Sequence, residues 1–255
     1  MTPLTIFGNP MNIWKYFRYG EGILSSSAAD LVFFGASSKE YVDTPDLQII
    51  SLTSAADRQL FAAMGKVTPE AFEYEVGVPM DYSIFAQGLL FGNCLQHPDE
   101  RGTVTLRSTS VSDTPVVTYE LIGNDYDLKR LLKSVRILEE WLAAPSLASL
   151  QPQILPHRKL AQEFGYGTDE YWIQYIRRFI ATLWHPVGTC AMGAENDGKS
   201  VVNSKLQVWG LERLRVADAS IMPEITSGNT NVPTGLIGLK MVDTILKEHT
   251  GKTPY

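Results

Sequence analysis

From Asp125 onward, apolar residues recur at Leu128, Leu131, Leu132, Val135, Leu138 and Leu142. This is the i, i+3, i+4, i+7 spacing of one helical face, and it predicts an amphipathic helix of about 18 residues that stops near Pro145. A second stripe, Tyr171, Ile173, Ile176, Phe179, Ile180 and Leu183, predicts a helix from Glu170 to Trp184. Proline pushes the residue ahead of it out of the helical region, so this helix has to end before Pro186, and His185 is expected at its C-terminus. A third stripe, with Leu236, Leu239, Met241, Val242, Ile245 and Leu246, predicts a helix from Val232 to Lys247. Residues 54–72 also read as helical.

Elsewhere the period is two. Asp46 to Leu52 alternates behind Pro45 and reads as a strand. Leu31-Val32-Phe33-Phe34 is a short apolar run, and Tyr82 to Cys94 is apolar and β-prone. Gly102 to Arg107, the turn Ser112-Asp113-Thr114-Pro115 and Val116 to Tyr119 together predict a hairpin. Residues 146–168 are punctuated by Pro and Gly and read as irregular. Val201-Val202 and Leu214 to Asp218 read as strands or turn edges. Strands followed by helices, without a βαβ rhythm, predict an α+β fold. The last 70 or so residues read as segments that pack onto something else rather than as a complete domain.

Composition narrows the function classes. The chain has 255 residues, 44% of them apolar and 20% charged, enough for one large domain or two small ones. A net charge of -6 without a Lys/Arg cluster argues against a nucleic-acid surface. No apolar run approaches the roughly 20 residues that span a bilayer. The opening MTPLTIFGNP lacks a basic segment followed by an apolar one, so no signal peptide is expected and a cytoplasmic location is the default. Cys94 and Cys190 make no disulfide framework, and with four histidines in the whole chain a metal cage is not expected.

The candidate chemistry lies in two polar turns. Trp184-His185-Pro186-Val187-Gly188-Thr189-Cys190-Ala191-Met192-Gly193 heads a Gly-rich turn with an imidazole. His185 reads either as a general base or acid, since imidazole titrates near neutrality, or as a helix-terminal histidine bonded to carbonyls. Ser227-Gly228-Asn229-Thr230-Asn231-Val232-Pro233-Thr234 opens the last helix. Asn229 and Asn231 read as turn-formers, yet N–H groups at a helix N-terminus also favour negative charge, and an amide can position a hydroxyl. Asp218, at the end of Leu214-Arg215-Val216-Ala217, either binds ribose-type hydroxyls or caps a turn. His97, His157 and His249 read as solvated surface residues. Gly20-Glu21-Gly22 resembles a fragment of a dinucleotide fingerprint but lacks the third Gly and a clean preceding strand, so it is rejected as a phosphate loop.

An ordered string of segments closely resembles the glucose–methanol–choline (GMC) oxidoreductases: HPVGTCAMG at 185–193, Val201-Val202-Asn203, Leu206-Gln207-Val208-Trp209-Gly210, LRVADASIMP at 214–223 and SGNTNVPT at 227–234. Tyr19 to Leu24, Pro45 to Gln48 and Arg101 to Leu106 are similar to landmarks of that family's substrate domain. The resemblance implies a substrate-binding domain over 1–180, an antiparallel sheet with packed helices, and a catalytic, flavin-contacting segment of the FAD-binding domain over 181–255. It implies an FAD-dependent oxidation of a small-molecule alcohol, with hydride passing to flavin N5. His185 matches the catalytic histidine that takes the alcohol proton. Asn229 matches the second catalytic position, which is His in some branches and Asn in choline-type ones. Asp218 and Ala219 match the segment along the ribityl–pyrophosphate of FAD. Asn231, Val232 and Pro233 match the turn against the isoalloxazine ring.

The family's GxGxxG region and acidic ribose ligand have no counterpart here, so the ADP part of FAD lacks a cradle. Three readings follow. The chain is a truncated alcohol oxidase or dehydrogenase, or works with a second chain that supplies the FAD-binding half. It reuses the pocket as a flavin-independent lyase, isomerase or cyclase. Or it is a non-catalytic partner subunit whose apolar surface meets another protein. Trp184 beside His185 permits an aromatic or terpenoid-like alcohol, or belongs to the core.

Overall fold

The computed structural model describes residues 9–25, 29, 31–52, 68 and 89–251. The helix expected over 54–72 and the 82–88 part of the β-prone stretch lie outside these residues, Thr68 excepted. Mixed helix and antiparallel sheet make up two compact units, one of Met1–Leu95 with Leu121–Ala181, the other of Gln96–Glu120 with Thr182–Tyr255.

In the first unit, helix α1 (Pro10–Tyr19) starts where Asn9 Oδ1 accepts the Met11 N–H and ends on Gly20 in the left-handed region, φ 67°. Gly20 therefore closes a helix. A phosphate loop needs the opposite order, with glycines that open one after a strand, so the local geometry agrees with rejecting Gly20-Glu21-Gly22 as a nucleotide site. Strands β1 (Leu31–Gly35), β2 (Leu47–Leu52) and β3 (Leu90–Leu95) form an antiparallel sheet with β2 in the middle. Leu31 pairs with Ser51, and Leu47 with Leu95. Helix α2 (Asp125–Leu142) packs on β2 and β3, and it buries Leu128, Leu131, Val135 and Leu138 on the face read from the sequence. Asn124 caps it by accepting the Asp127 N–H at 2.7 Å.

Arg130 joins α2 to the head of β2. Its Nε donates to Asp46 at 3.0 Å and its Nη1 to Asp127 at 3.3 Å, all three side chains being buried. Asp46 also accepts the Ser37 N–H and hydroxyl. The guanidinium lies over the rings of Tyr41 and Tyr126, 5.0 and 4.9 Å from their centroids. The hydroxyl–hydroxyl bond to Tyr126, with burial second, pushes the Tyr41 phenol up to about 12.

Three expectations are corrected in this unit. Residues 146–168 are not wholly irregular: a 3₁₀ turn covers Pro145–Leu150 and helix α3 covers Arg158–Phe164. His157 makes α3 possible. Its Nδ1 caps the Leu160 N–H, its own N–H donates to the Tyr171 hydroxyl at 2.9 Å, and its ring packs 5.6 Å from Phe179. His157 is thus buried, not a surface residue. Helix α4 (Asp169–Phe179), capped by Thr168, is shorter than its apolar stripe suggests. It buries Tyr171 and Trp172 against Val135, and burial pushes the neighbouring Tyr175 phenol up to about 12.

In the second unit, β4 (Thr103–Thr105) and β5 (Val116–Thr118) form the expected hairpin, Thr103 pairing with Thr118. Gly102 is required at its base, because a Cβ there would stand 2.5 Å from the Thr118 carbonyl oxygen. Val202 bridges to Met192 and Val208, and Gln207 to Arg215, as isolated pairs. Helix α5 (Asn231–Thr250) rests on these segments through Met241 and Ile237, closing a core of Val202, Leu206 and Ile221.

Candidate functional site

The second unit contains every residue singled out for chemistry. His185 is half-buried and lies beyond any helix. α4 stops at Phe179, Ile180 is extended at φ -61° and ψ 137°, and the chain runs on without helical bonds to Pro186. Ile180 and Thr182 are β-branched, and Thr182 Oγ1 accepts the Trp184 N–H at 3.0 Å, a local bond that competes with helix. The expected helix end at His185 is corrected, and with it falls the reading of His185 as a residue that satisfies helix-terminal carbonyls. Trp184 sits in the left-handed region, φ 59°, a conformation that is costly for a bulky residue, and is 65% exposed, so it is not core.

Backbone bonds zip the His185 turn to the Asp218 segment. The Cys190 N–H donates to Ser220 at 2.9 Å and the Met192 N–H to Ile221 at 2.8 Å. The segments approach so closely at Gly188, φ 86°, that an added Cβ would stand 3.4 Å from the Met222 carbonyl oxygen. The Val201 N–H donates back to Ala191, and the Gly193 N–H to Val202. The structure therefore brings His185-to-Gly193 and Asp218-to-Met222 together in one scaffold. Asp218 caps the 3₁₀ turn Ala219–Ile221: its Oδ1 accepts the Ser220 N–H at 2.8 Å and the Ser220 hydroxyl at 2.5 Å. Turn-capping, one of the two readings of Asp218, is thus realised on a single carboxylate oxygen.

Asn229 is exposed in the turn that leads into α5, with Asn231, Val232 and Pro233 in its first turn. Thr230, the residue ahead of the helix, is helical itself and makes no side-chain cap bond. The partial positive charge at the N-terminus of this 20-residue helix favours an anion. An added Cβ at Gly228 or Gly235 would meet nothing within 4 Å, so there is open space beside the backbone at both.

His97 departs from its surface reading. Its Nε2 and Ser227 Oγ are hydrogen-bonded at 2.8 Å, which ties Gln96-His97-Pro98 to the Asn229 turn across 130 residues. Nothing in the local sequence signals that pairing; only the fold brings the two turns together. His249 is exposed, as expected. Among the described residues no cluster of three His, Cys, Asp or Glu could hold a metal, and no helix is long and apolar enough to cross a membrane.

A family model described as GMC oxidoreductase matches residues 98–238. The oxygen-dependent choline dehydrogenase of Sinorhizobium medicae is 31% identical over 242 residues, 94% of this chain and 38% of that protein. An alcohol dehydrogenase [acceptor] of Pseudomonas putida is 31% identical over 240 residues, with 93% and 38% covered. Among solved structures, a formate oxidase superposes with a TM-score of 0.67 at 21% identity, covering 94% of this chain and 41% of its own. An FAD-dependent oxidoreductase from Chaetomium thermophilum does so with 0.67 at 20% identity, covering 98% and 45%. The chain thus spans 38% of the length of these curated relatives, and the structural neighbours share its mixed helix-and-sheet fold.

Proposed function

Because this chain belongs to the GMC oxidoreductase family, we propose that it carries the proton-transfer site of an FAD-dependent oxidoreductase acting on the CH–OH group of a small-molecule alcohol. His185 is the base and Asn229 its hydrogen-bonding partner. The observation that carries this reading is the zipper that joins the His185 turn to the Asp218 segment in the unit that also holds the N-terminus of α5. Oxidation of R₂CH–OH to R₂C=O releases a hydride from carbon and a proton from oxygen. His185 takes the proton, and Asn229 holds the hydroxyl by donating or accepting a hydrogen bond.

Bound FAD would supply the hydride acceptor. The residues fit its flavin end: the N-terminus of a 20-residue helix suits negative charge on a reduced ring, and a Cβ at Gly228 or Gly235 would meet nothing within 4 Å. Asn231, Val232 and Pro233 would face the ring, and Asp218 and Ala219 the ribityl–pyrophosphate. In this reading, residues 1–180 serve substrate binding, and 181–255 serve catalysis and flavin contact.

The phosphate end of FAD requires a glycine-rich cradle, which this chain's sequence does not supply. We therefore assign that cradle to the part of the relatives' length that the chain does not span, on the same polypeptide or a second one. α5 supports the assignment. Beside the face it buries, it exposes Val232, Leu236, Leu239, Val242 and Ile245. A helix that is apolar on most sides is ordinarily covered on most sides.

The test is visible absorption and turnover, with the chain assembled with a GMC flavin-binding half and FAD. Flavin bands that co-migrate with the complex are expected. His185→Ala should lower turnover by about 10²–10⁴-fold, the usual worth of a positioned base, without releasing flavin. A colourless complex that turns over a substrate by elimination or isomerisation would establish the flavin-independent reading. Unchanged turnover in His185→Ala would remove His185 from the chemistry.

A further inference from the structure

We propose that His97 is a positioning residue: it holds, through Ser227, the turn that presents Asn229. The inference rests on the proposed role of Asn229 and adds a residue that no motif contains. Its starting point is the 2.8 Å bond between His97 Nε2 and Ser227 Oγ, two residues before Asn229.

Ser227 and Asn229 are exposed, and a Cβ added at Gly228 would meet nothing within 4 Å, so packing does not fix the backbone there. Downstream the path is firm. Thr230 is buried, and its carbonyl accepts from the Thr234 N–H at 3.0 Å and the Thr234 hydroxyl at 2.6 Å. Upstream, Thr226 Oγ1 donates to the Gly228 carbonyl at 3.1 Å. The Asn229 turn is thus pinned at its helix end, closed on itself at the other, and joined to the rest of its unit by His97.

His97 can serve as a pin because its own turn is stiff. Pro98 restricts the His97 backbone to extended conformations. Arg101 Nη1 donates to the carbonyls of Pro98 and Glu100 at 2.6 and 3.0 Å, closing the turn from beneath. Gly102 then enters the β4–β5 hairpin at a spot with no room for a side chain. Rigidity therefore passes from hairpin to turn, from turn to imidazole, and from imidazole to the loop that carries the amide. An amide that orients a reacting hydroxyl has to be held to a fraction of an ångström, and small misplacements cost rate out of proportion to stability.

The experiment compares His97→Ala, Ser227→Ala and His97→Gln, whose side-chain amide carries a donor and an acceptor. In the chain alone, amide hydrogen exchange at residues 228–231 should quicken about fivefold in both alanine variants, the protection that one hydrogen bond of ordinary net strength supplies. His97→Gln should restore it, with the melting midpoint lowered by no more than about 2–4 °C in the alanine variants. In the chain assembled with its flavin-binding half, His97→Ala should lower kcat roughly ten- to a hundredfold with KM little changed. The same substitution should have no further effect in an Asn229→Ala background, because residues that act through one another are not additive. Unchanged exchange, or fully additive losses with Asn229→Ala, overturns the proposal. If Asn229→Ala alone leaves turnover intact, the reading of Asn229 fails, while the exchange result still decides whether His97 pins the turn.

Discussion

Which residue matters depends on what its neighbours leave it to do, and burial separates residues that look alike in sequence. Asp46 and Glu140 are both carboxylates with a cationic neighbour. Asp46 is fully buried and receives Arg130, the Ser37 N–H and the Ser37 hydroxyl. Glu140 meets Lys133 at 4.0 Å with both side chains largely in water. Removing one member of a buried pair strands the other, so Asp46→Ala should cost about 3–5 kcal/mol in urea unfolding. Glu140→Ala should change stability by less than about 1 kcal/mol. Equal effects would mean that Asp127 alone satisfies Arg130. The four histidines teach the same lesson. His185 stands half-buried in the turn that the sequence singles out. The surroundings of His157 and His97 were not legible, because burial against Phe179 and a bond to Ser227 come from residues far away in the chain.

Elements with one clean period were legible, and those decided by a single side chain were not. β2, the β4–β5 hairpin and α2 stand where alternation or the 3.6-residue stripe places them. α3 was hidden because its cap is a histidine, which is not among the residues that ordinarily mark a helix start. α4 was read too long because its stripe continues through Ile180 and Leu183, while Thr182 had already taken the Trp184 N–H. α5 was legible in extent, but its fastening was not. Arg215 Nη2 donates to Glu248 Oε2 at 2.5 Å while Nη1 holds the Lys205 carbonyl, so the last turn of the helix is moored to the bridge-forming segments. The bond to Arg215 holds the Glu248 carboxyl below the usual carboxylate range. A depressed folded-state value means that the contribution is fully present above the unfolded carboxylate pKa and is lost as pH falls through the lower, folded one. Melting midpoints of the chain and of Glu248→Gln should therefore differ at neutral pH and converge at acid pH below the carboxylate range. A constant gap at all pH values would show that the charge is not what moors the helix.

At the scale of the whole chain, the distribution of apolar surface supports the proposal that a further segment or chain covers α5. Val232 is 79% exposed, Leu236 63% and Leu239 59%, all in the first half of α5 and next to the N-terminus assigned to the flavin. Such a stripe is unfavourable in water, and leaving it bare invites association. Since these side chains make little contact within the chain, replacing them with charge costs little folding stability. Leu236→Lys combined with Leu239→Lys should therefore leave the melting midpoint near its original value and make the isolated chain more monodisperse in light scattering. If the flavin-binding half covers this face, the same double variant should fail to co-purify with the part of the Sinorhizobium medicae choline dehydrogenase that the chain does not span, under conditions in which the unsubstituted chain does. Retained association would move the interface off α5. A self-associating chain rendered monomeric by the lysines, with no loss of the flavin-binding half, would mean that a second copy had occupied the stripe. The two exposed leucines thus decide whether the proposed proton-transfer site is completed across α5 or elsewhere.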